Sequence, residues 1–486
     1  MIKRIKNFLF KNKSLAQKVI KNTFWLSTGE IGSRLIKAIL IIYAARALGT
    51  AGYGVFSYVV GLAGLFTILS DLGLSQILTR QVSKEPKNSD KYFVTGFWIK
   101  TLLLALTLGI IIFVTPHFSK IEAAVKLLPL AGLLVIFDGF RNYISAFFRG
   151  EEKMEKEAAL TITTNLSVTT AGLGVLYYSK TAGSLTAAYV LSAGLGTFLG
   201  FYFLRGKIKK LFLKFQRKLI TPLLSSAWPI AMMSTFGALM LNIDLIMLGF
   251  FTNSSDVGLY SAGQRIVQLL YIFPTIIAAS FFPAFSKLAK KGAEKIKKVI
   301  QKSLKSIFLL AIPVSLGGAI LGKGMMNLIF GPQYIEGALA FQVLIFSCLL
   351  VFPGKIFTNY LLAFNEHKKL IPFIIASAFV NVGLNWTLIP AIGIVGSSIA
   401  TIGSTLVYNG AAWHLAKKIK SFDALNNLYK VIAGAVFMSI ATTLLSIIGV
   451  SVVLNIITSA VIYFVVLYLL GEEAIFDVLK ILKRSN

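Results

Sequence analysis

The sequence predicts an all-α polytopic membrane protein of about fourteen transmembrane helices, and three observations carry that prediction. Apolar runs long enough to cross a bilayer, roughly 20 residues each, recur along the whole chain. The chain is 56% hydrophobic and 14% charged over 486 residues, whereas a soluble domain holds about 25% charged residues. The positive charges cluster between alternate runs, and a six-run pattern occurs twice. A transmembrane β-barrel would show shorter, alternating segments instead.

In chain order the runs fall at 23–46, 54–79, 92–115, 124–148, 158–179, 184–204, 220–251, 257–285, 301–322, 338–363, 369–390, 394–415, 430–449 and 451–470. Several contain Pro or Gly, which membrane helices tolerate because neighbouring groups satisfy the freed backbone. Before the first run, in residues 1–22, Ile2, Ile5, Phe8 and Leu9 recur at helical spacing among lysines. This segment reads either as an amphipathic helix on the cytoplasmic face or as a plain basic tail. It lacks the compact apolar core and cleavage site of a signal peptide.

Of the 49 Lys and Arg, 38 lie at the two termini and in every second loop, 5 lie in the other loops and 6 lie within runs. A miscounted run would scramble that alternation. The asymmetry predicts a multi-pass protein of the cell membrane with both termini cytoplasmic. Topology therefore accounts for the formal net charge of +30, which in a soluble protein would suggest nucleic acid; no nucleic-acid partner is expected. The single cysteine, Cys348, excludes an intrachain disulfide framework, and three scattered histidines make a bound metal unexpected.

The duplication rests on three matches. YGVFSY at 53 resembles VGLYSA at 257, FDGFRNYISAFFRGEEK at 137 resembles FPGKIFTNYLLAFNEHK at 352, and AGSLTAA at 182 resembles VGSSIAT at 395. The offsets are 204, 215 and 213. The expected organisation is a lobe of six helices at 23–204, a cytoplasmic linker at 205–219, and a second such lobe at 220–415. A linker and helix pair follow at 416–470, then a cytoplasmic tail at 471–486. An even number of runs per copy gives both copies one orientation, the parallel-repeat pattern of transporters.

Charges inside the runs are the candidate functional residues. Glu30, Arg34 and Lys37 stand four and three residues apart and so share one helix face. Arg34 lies near mid-bilayer at about 1.5 Å per residue, where a charge costs about 2.5–3.5 kcal/mol or more to insert. The others are Asp71, Lys100, Asp138, Arg141, Asp244, Arg265 and Lys355. Structural readings compete: Glu30 with Arg34, and Asp138 with Arg141, are spaced for local ion pairs, and Lys100 is placed to snorkel toward the cytoplasmic interface. Yet Glu30 can neutralise only one of Arg34 and Lys37, and Arg265 has no acid nearby in sequence. A water-filled cationic chamber is therefore expected, and guanidinium suits phosphate oxygens or an acidic sugar. Arg34, Lys37, Arg141, Arg265 and Lys355 are the candidate substrate-binding residues. Glu30, Asp71, Asp138 and Asp244 are candidates for charge compensation or for a coupling cation, Na+ or H+. Residues 431–471 hold no charge; that hairpin either borders a groove for an acyl or prenyl tail or is a simple peripheral helix pair.

The chain has no phosphate loop of the form G-x-x-x-x-G-K-[ST] and no HExxH motif, so direct ATP hydrolysis is not expected. Its outer loops are short, which argues against a membrane glycan polymerase or ligase.

Leu48-Gly49, Tyr53-Gly54 and Asp71-Leu72-Gly73-Leu74 lie in the run ARALGTAGYGVFSYVVGLAGLFTILSDLGLSQILTRQVSK, at 45–84. That run resembles the start of bacterial and archaeal polysaccharide transporters. These are lipid-linked oligosaccharide flippases of the multidrug/oligosaccharidyl-lipid/polysaccharide exporter superfamily. NIDLIMLG at 242–249 followed by VGLYSAGQRI resembles the opening of their second lobe. The resemblance implies two six-helix lobes in a V, alternating access, and a cationic central cavity for a phosphate and sugar headgroup, a role that Arg34, Lys37 and Arg265 match by position. It also likens the charge-free hairpin to the tail-groove helices of peptidoglycan-precursor flippases. The expected function is outward flipping of a polyprenyl-(pyro)phosphate-linked oligosaccharide for cell-surface polysaccharide biosynthesis. Membrane lipids and glycan polymerases or other surface-polysaccharide assembly proteins are the expected partners. A cation-coupled multidrug exporter is the alternative within the superfamily. An inside-negative potential would help drive an uncompensated anionic headgroup outward.

Overall fold

The computed structural model describes residues 15–208, 214–289, 294–423 and 428–472; the side chains of 15–31, 33–35, 207–208, 229 and 294 fall outside the description. Much of the predicted amphipathic segment 1–22 and the tail 471–486 thus lies outside the described residues. Among those described, the chain is helical almost throughout and contains no strand.

Each apolar run folds as a helix. We number them α1 (15–48), α2 (50–69, restarting as Leu74–Lys84), α3 (Ser89–Gly109), α4 (Leu128–Gly150), α5 (Met154–Tyr178), α6 (Ala182–Phe203) and α7 (Ile220–Phe251). There follow α8 (Ser254–Leu270, restarting as Ile272–Ala289), α9 (Glu294–Phe330) and α10 (Ala338–Leu344, resuming as Cys348–Ala363). The last four are α11 (371–391), α12 (394–419), α13 (Tyr429–Ile447) and α14 (Val452–Leu469). Among the described residues, twelve helical stretches are long and apolar enough to cross a membrane. Two of them, containing α1–α2 and α11–α12, bend sharply at Gly49 (φ 70°) and at Ile392–Gly393, so fourteen helices result. Glycine suits Gly49 because an L side chain at positive φ crowds its own backbone.

The chain divides into two compact units, Met1–Gly258 and Leu259–Asn486. The first contains α1–α7 and the opening turn of α8. The second copy expected from the sequence begins with α7; in the folded chain this helix packs against α2 in the first unit. The core of this unit joins Leu74, Ile77 and Val82 of α2 to Phe93 and Ile99 of α3, Tyr143 and Phe147 of α4, and Leu223 and Ala227 of α7. Tyr143 is fully buried and donates its hydroxyl to the Phe93 carbonyl at 2.8 Å. That bond satisfies a polar atom which would be costly to bury alone.

In the second unit, α13 and α14 form a hairpin whose buried polar groups bond one another. Thr442 donates to Ser459 at 2.8 Å, and Asn455 to the Thr442 carbonyl at 3.0 Å. The pair docks on α9 through Ala435, Met438, Tyr463 and Leu467, with the Tyr463 hydroxyl donating to the Leu309 carbonyl at 2.9 Å. At its base the Lys305 ammonium lies 2.6 Å from the buried Glu472 carboxylate. The outward faces of both helices carry exposed Ile, Leu, Val and Phe, as a membrane-facing surface requires.

Candidate functional site

The site begins at a break in a helix. After Leu69 the α2 backbone leaves helical geometry, with Leu72 at φ 42° and Gly73 at φ 74°, and restarts at Leu74. A Cβ on Gly73 would stand 2.8 Å from the Ala227 carbonyl oxygen and 3.2 Å from the Ile230 Cβ. The close passage of α7 therefore requires glycine there, besides the positive φ. The break frees backbone carbonyls from the helical ladder, and the Ser70 carbonyl accepts from the Lys100 ammonium at 3.0 Å.

Asp71 joins both sides of the break. Its carboxylate accepts from Lys100 Nζ at 3.1 Å, from the Ser75 hydroxyl at 2.6 Å and from the Ser75 backbone N–H at 3.3 Å. It thereby caps the restarted helix, where a negative charge is favoured. Lys100 is 0% exposed. It does not snorkel toward an interface; its charge is met inside the helix packing by Asp71 and Ser70, because a buried ammonium is tolerated only when paired and hydrogen-bonded.

Two further pairs follow along α4. Arg141 Nε and Nη2 both donate to Asp138 Oδ1, at 3.1 and 2.6 Å, so these residues form the local ion pair that their spacing allows. Eight residues on, about 12 Å along the helix, Arg149 forks onto the Glu157 carboxylate of α5. The three-residue turn 151–153 between α4 and α5 makes that crossing possible.

A cavity of about 330 Å3 is lined by Asp71, Lys100, Arg141, Arg149 and Glu157, with Ser75, Gln76, Asn142, Thr161 and Ser234 supplying hydroxyl and amide groups. None of its described lining residues is aromatic. It lies toward the helix ends joined by the turns 85–88 and 151–153, the side that the charge asymmetry assigns to the cytoplasm. At the first of these turns, hydrogen bonds from Asn88 and then Tyr92, both 3.0 Å, hold the exposed Glu85 carboxyl below its usual range. Each cation of the cavity has a carboxylate partner, so the wall is charged yet balanced. Arg141 keeps Nη1 outside its contact with Asp138; a guanidinium can thus hold a carboxylate and an incoming anion together.

The structure brings together four of the charges singled out from sequence: Asp71, Lys100 and Arg141 line the cavity, and Asp138 pairs with Arg141. Lys37 is half-buried on α1, and Asp244 is buried on α7. Glu30 and Arg34 fall on α1 where side chains are outside the described residues. In the second unit Arg265 is half-buried on α8 and donates to the Gln268 side chain at 3.1 Å, while Lys355 is exposed on α10. Sequence reasoning missed Arg149 and Glu157 by assigning them to a loop. The signal was available: a turn of only three residues leaves both on helices, within reach of the same cavity.

The second unit holds a cavity of different character. About 160 Å3 in volume, it is lined by Phe308, Leu349, Pro353, Phe357, Leu406, Asn409 and Trp413. Another of about 280 Å3, at the ends of α10 and α12, includes Glu366, Lys369 and Lys418. No group of three or more His, Cys, Asp or Glu arranged to hold a metal occurs among the described residues.

Comparison with known proteins gives a consistent result. The family described as polysaccharide biosynthesis protein matches residues 19–289, and the family described as lipid II flippase MurJ matches residues 239–471. The probable low-salt glycan biosynthesis flippase Agl15 of Haloferax volcanii is 25% identical over 365 residues, 74% of this chain and 75% of that one. Among solved structures, lipid II flippase MurJ in an inward closed conformation superposes with a TM-score of 0.75 at 14% identity, covering 92% of this chain and 99% of that one. An inward-facing multidrug resistance MATE family transporter of the MOP superfamily gives 0.61 at 15% identity, covering 80% and 98%. At such identities the structural likeness speaks for the fold.

Proposed function

The chain belongs to the polysaccharide biosynthesis protein family, and we propose that it is a flippase moving a polyprenyl-(pyro)phosphate-linked oligosaccharide from the cytoplasmic to the outer leaflet by alternating access. The observation that carries this proposal is the charged cavity among α2, α3, α4 and α5, whose arginines offer the planar donor geometry that phosphate oxygens accept. Its volume stands at the low end of the about 300–1,000 Å3 typical of small-molecule sites, enough for part of a phosphorylated sugar and too small for a polyprenyl chain. The name of the Haloferax relative, a glycan biosynthesis flippase, supports the same substrate class.

The remaining assignments follow. The two copies, 23–204 and 220–415, act as the moving lobes, with both termini cytoplasmic in the cell membrane. Arg141 binds the phosphate, Lys37, Arg265 and Lys355 supply further positive charge, and Arg34 does so on the face it shares with Glu30 and Lys37. Asp71 holds Lys100 rather than a free coupling ion. Asp244, buried on α7, stays a candidate for ion coupling. Glycan polymerases and other assembly proteins are the expected partners on the outer side.

The MATE-like fold favours a second reading, a cation-coupled drug exporter. The experiment that separates them uses purified protein in proteoliposomes. Transfer of a labelled lipid-linked oligosaccharide between leaflets, without transport of a cationic drug, is the expected result; drug–cation exchange with no lipid transfer would reverse the choice.

A further inference from the structure

A separate charged space lies at the C-terminal ends of α10 and α12, on the side that the charge asymmetry assigns to the cytoplasm. The connection that shapes it is short. Helix α10 ends at Ala363, Asn365 turns the backbone at φ 58°, and a 3-10 turn, His367–Leu370, leads into α11. The cavity beside that turn measures about 280 Å3. Its walls are of two kinds. Leu361 and Phe364, from the end of α10, and Leu415 and Ile419, from α12, make one part apolar. Glu366, Lys369 and Lys418 make the other part charged.

That charge is not balanced. The Glu366 carboxylate is taken by Lys369 at 2.6 Å, whereas Lys418 is exposed and pairs with no carboxylate among the described residues. Lys368, next in the turn, and Lys417, whose ammonium lies 6.0 Å from the Trp413 ring centre, add to the positive sign. Lysines commonly mark the cytoplasmic ends of membrane helices. Orientation alone does not require two of them, from separate elements, to converge on one cavity with an apolar wall. Trp413 is exposed on α12 shortly before Lys418, the placing of an aromatic side chain at a membrane interface.

A soluble phosphate would need the lysines alone; the apolar wall calls for a ligand with a hydrocarbon part as well. We infer that this cavity binds an anionic phospholipid of the cytoplasmic leaflet, its phosphodiester at Lys369 and Lys418 and its glycerol and first acyl carbons against the apolar wall. Basic pockets between membrane helices on this side hold lipid headgroups in that way. The volume suits a headgroup and excludes whole acyl chains, which stay in the bilayer. Lys418 brings the unpaired charge. Lys369 serves Glu366 and the phosphate together, because an ammonium has three protons to donate. The bound lipid ties the end of α10 to the end of α12. The assignment does not depend on the flipping function proposed above.

The test is lipid binding to the purified full chain in neutral detergent, read by native mass spectrometry as lipid retained per molecule. Phosphatidylglycerol is the probe, phosphatidylcholine the zwitterionic control and inorganic phosphate the competitor. One lysine near an anionic headgroup is worth about fivefold in affinity, so K369Q/K418Q is expected to weaken the tightest phosphatidylglycerol binding by about tenfold or more. Both changed side chains are exposed, so the unfolding temperature in lipid-free detergent stays at the wild-type value. K297Q/K298Q removes the same charge from exposed positions on α9 and is expected to bind like wild type. L415W fills the cavity, keeps both lysines and is expected to weaken binding too. Inorganic phosphate is expected to displace nothing. Equal losses from the two double variants would reduce the site to general surface charge, and wild-type binding by L415W would place the lipid outside the cavity. Equal retention of phosphatidylcholine would remove the charge recognition, and displacement by inorganic phosphate would make this a site for a soluble anion. Each of these results overturns the assignment.

Discussion

Helices α2 and α8 are each broken midway, but the two breaks are filled with opposite chemistry. In α2 the helix stops at Leu69 and restarts at Leu74; in α8 it stops at Leu270 and restarts at Ile272. The α2 break carries Asp71, meets the buried ammonium of Lys100 and opens onto a cavity of about 330 Å3 lined by charge. The α8 break carries Tyr271, which shares a 2.9 Å hydrogen bond with the Ser347 hydroxyl of the same unit, and prolines at 274 and 283 follow it. The mid-helix cavity of that second unit, about 160 Å3, is apolar. The same kind of backbone break thus carries different side chains in the two units. One break is held by an ion pair, the other by a neutral hydrogen bond. In a membrane protein this division is physically sensible, because each buried charge is expensive and is retained where it serves a function.

The sharpest way to break the comparison is to remove the charge from one break and the hydroxyl from the other. Lys100→Met leaves the Asp71 carboxylate facing a buried space without its counter-ion, and a loss of about 3–5 kcal/mol in stability is expected. Thermal unfolding in detergent reads it, and adding Asp71→Asn should recover part of the loss. Tyr271→Phe removes one neutral hydrogen bond at the other break, with an expected cost of about 1 kcal/mol. Similar losses from the two variants would show that Lys100 and Asp71 form no special centre.

The fourteen helices were legible in the sequence because hydrophobic length and charge alternation are strong, redundant signals. So was the Asp138–Arg141 pair, since a spacing of three puts two side chains on one face. Lys100 was misjudged for a specific reason. A lysine 11 residues from the helix start can reach toward water, and only the fold reveals that the α2 break brings a carbonyl and a carboxylate to it first. The break itself was written in the sequence as Asp71-Leu72-Gly73, but a glycine within an apolar run equally suits close helix packing. That Asp71 would serve as a cap, with Ser75 as its partner, depends on where the helix restarts, which pattern alone does not specify. The charge balance of the cavity was hidden because Arg149 and Glu157 were counted with the turn between α4 and α5.

On the proposed function, the charged cavity of the first unit holds the anionic headgroup during flipping. The most direct measurement compares wild type with Arg141→Gln in proteoliposomes carrying a labelled lipid-linked oligosaccharide, with Trp413→Ala in the apolar cavity of the second unit as the reference. Arg141→Gln is expected to slow transfer between leaflets by about tenfold or more, the loss that one hydrogen bond to a charged group, about 1.5–3 kcal/mol, carries. Its unfolding temperature should stay close to wild type, because Arg141 is only partly buried and Asp138 can turn to solvent. Trp413→Ala should leave transfer within a few-fold of wild type. Wild-type transfer by Arg141→Gln, with the variant folded and inserted, would contradict the assignment of the headgroup to this cavity.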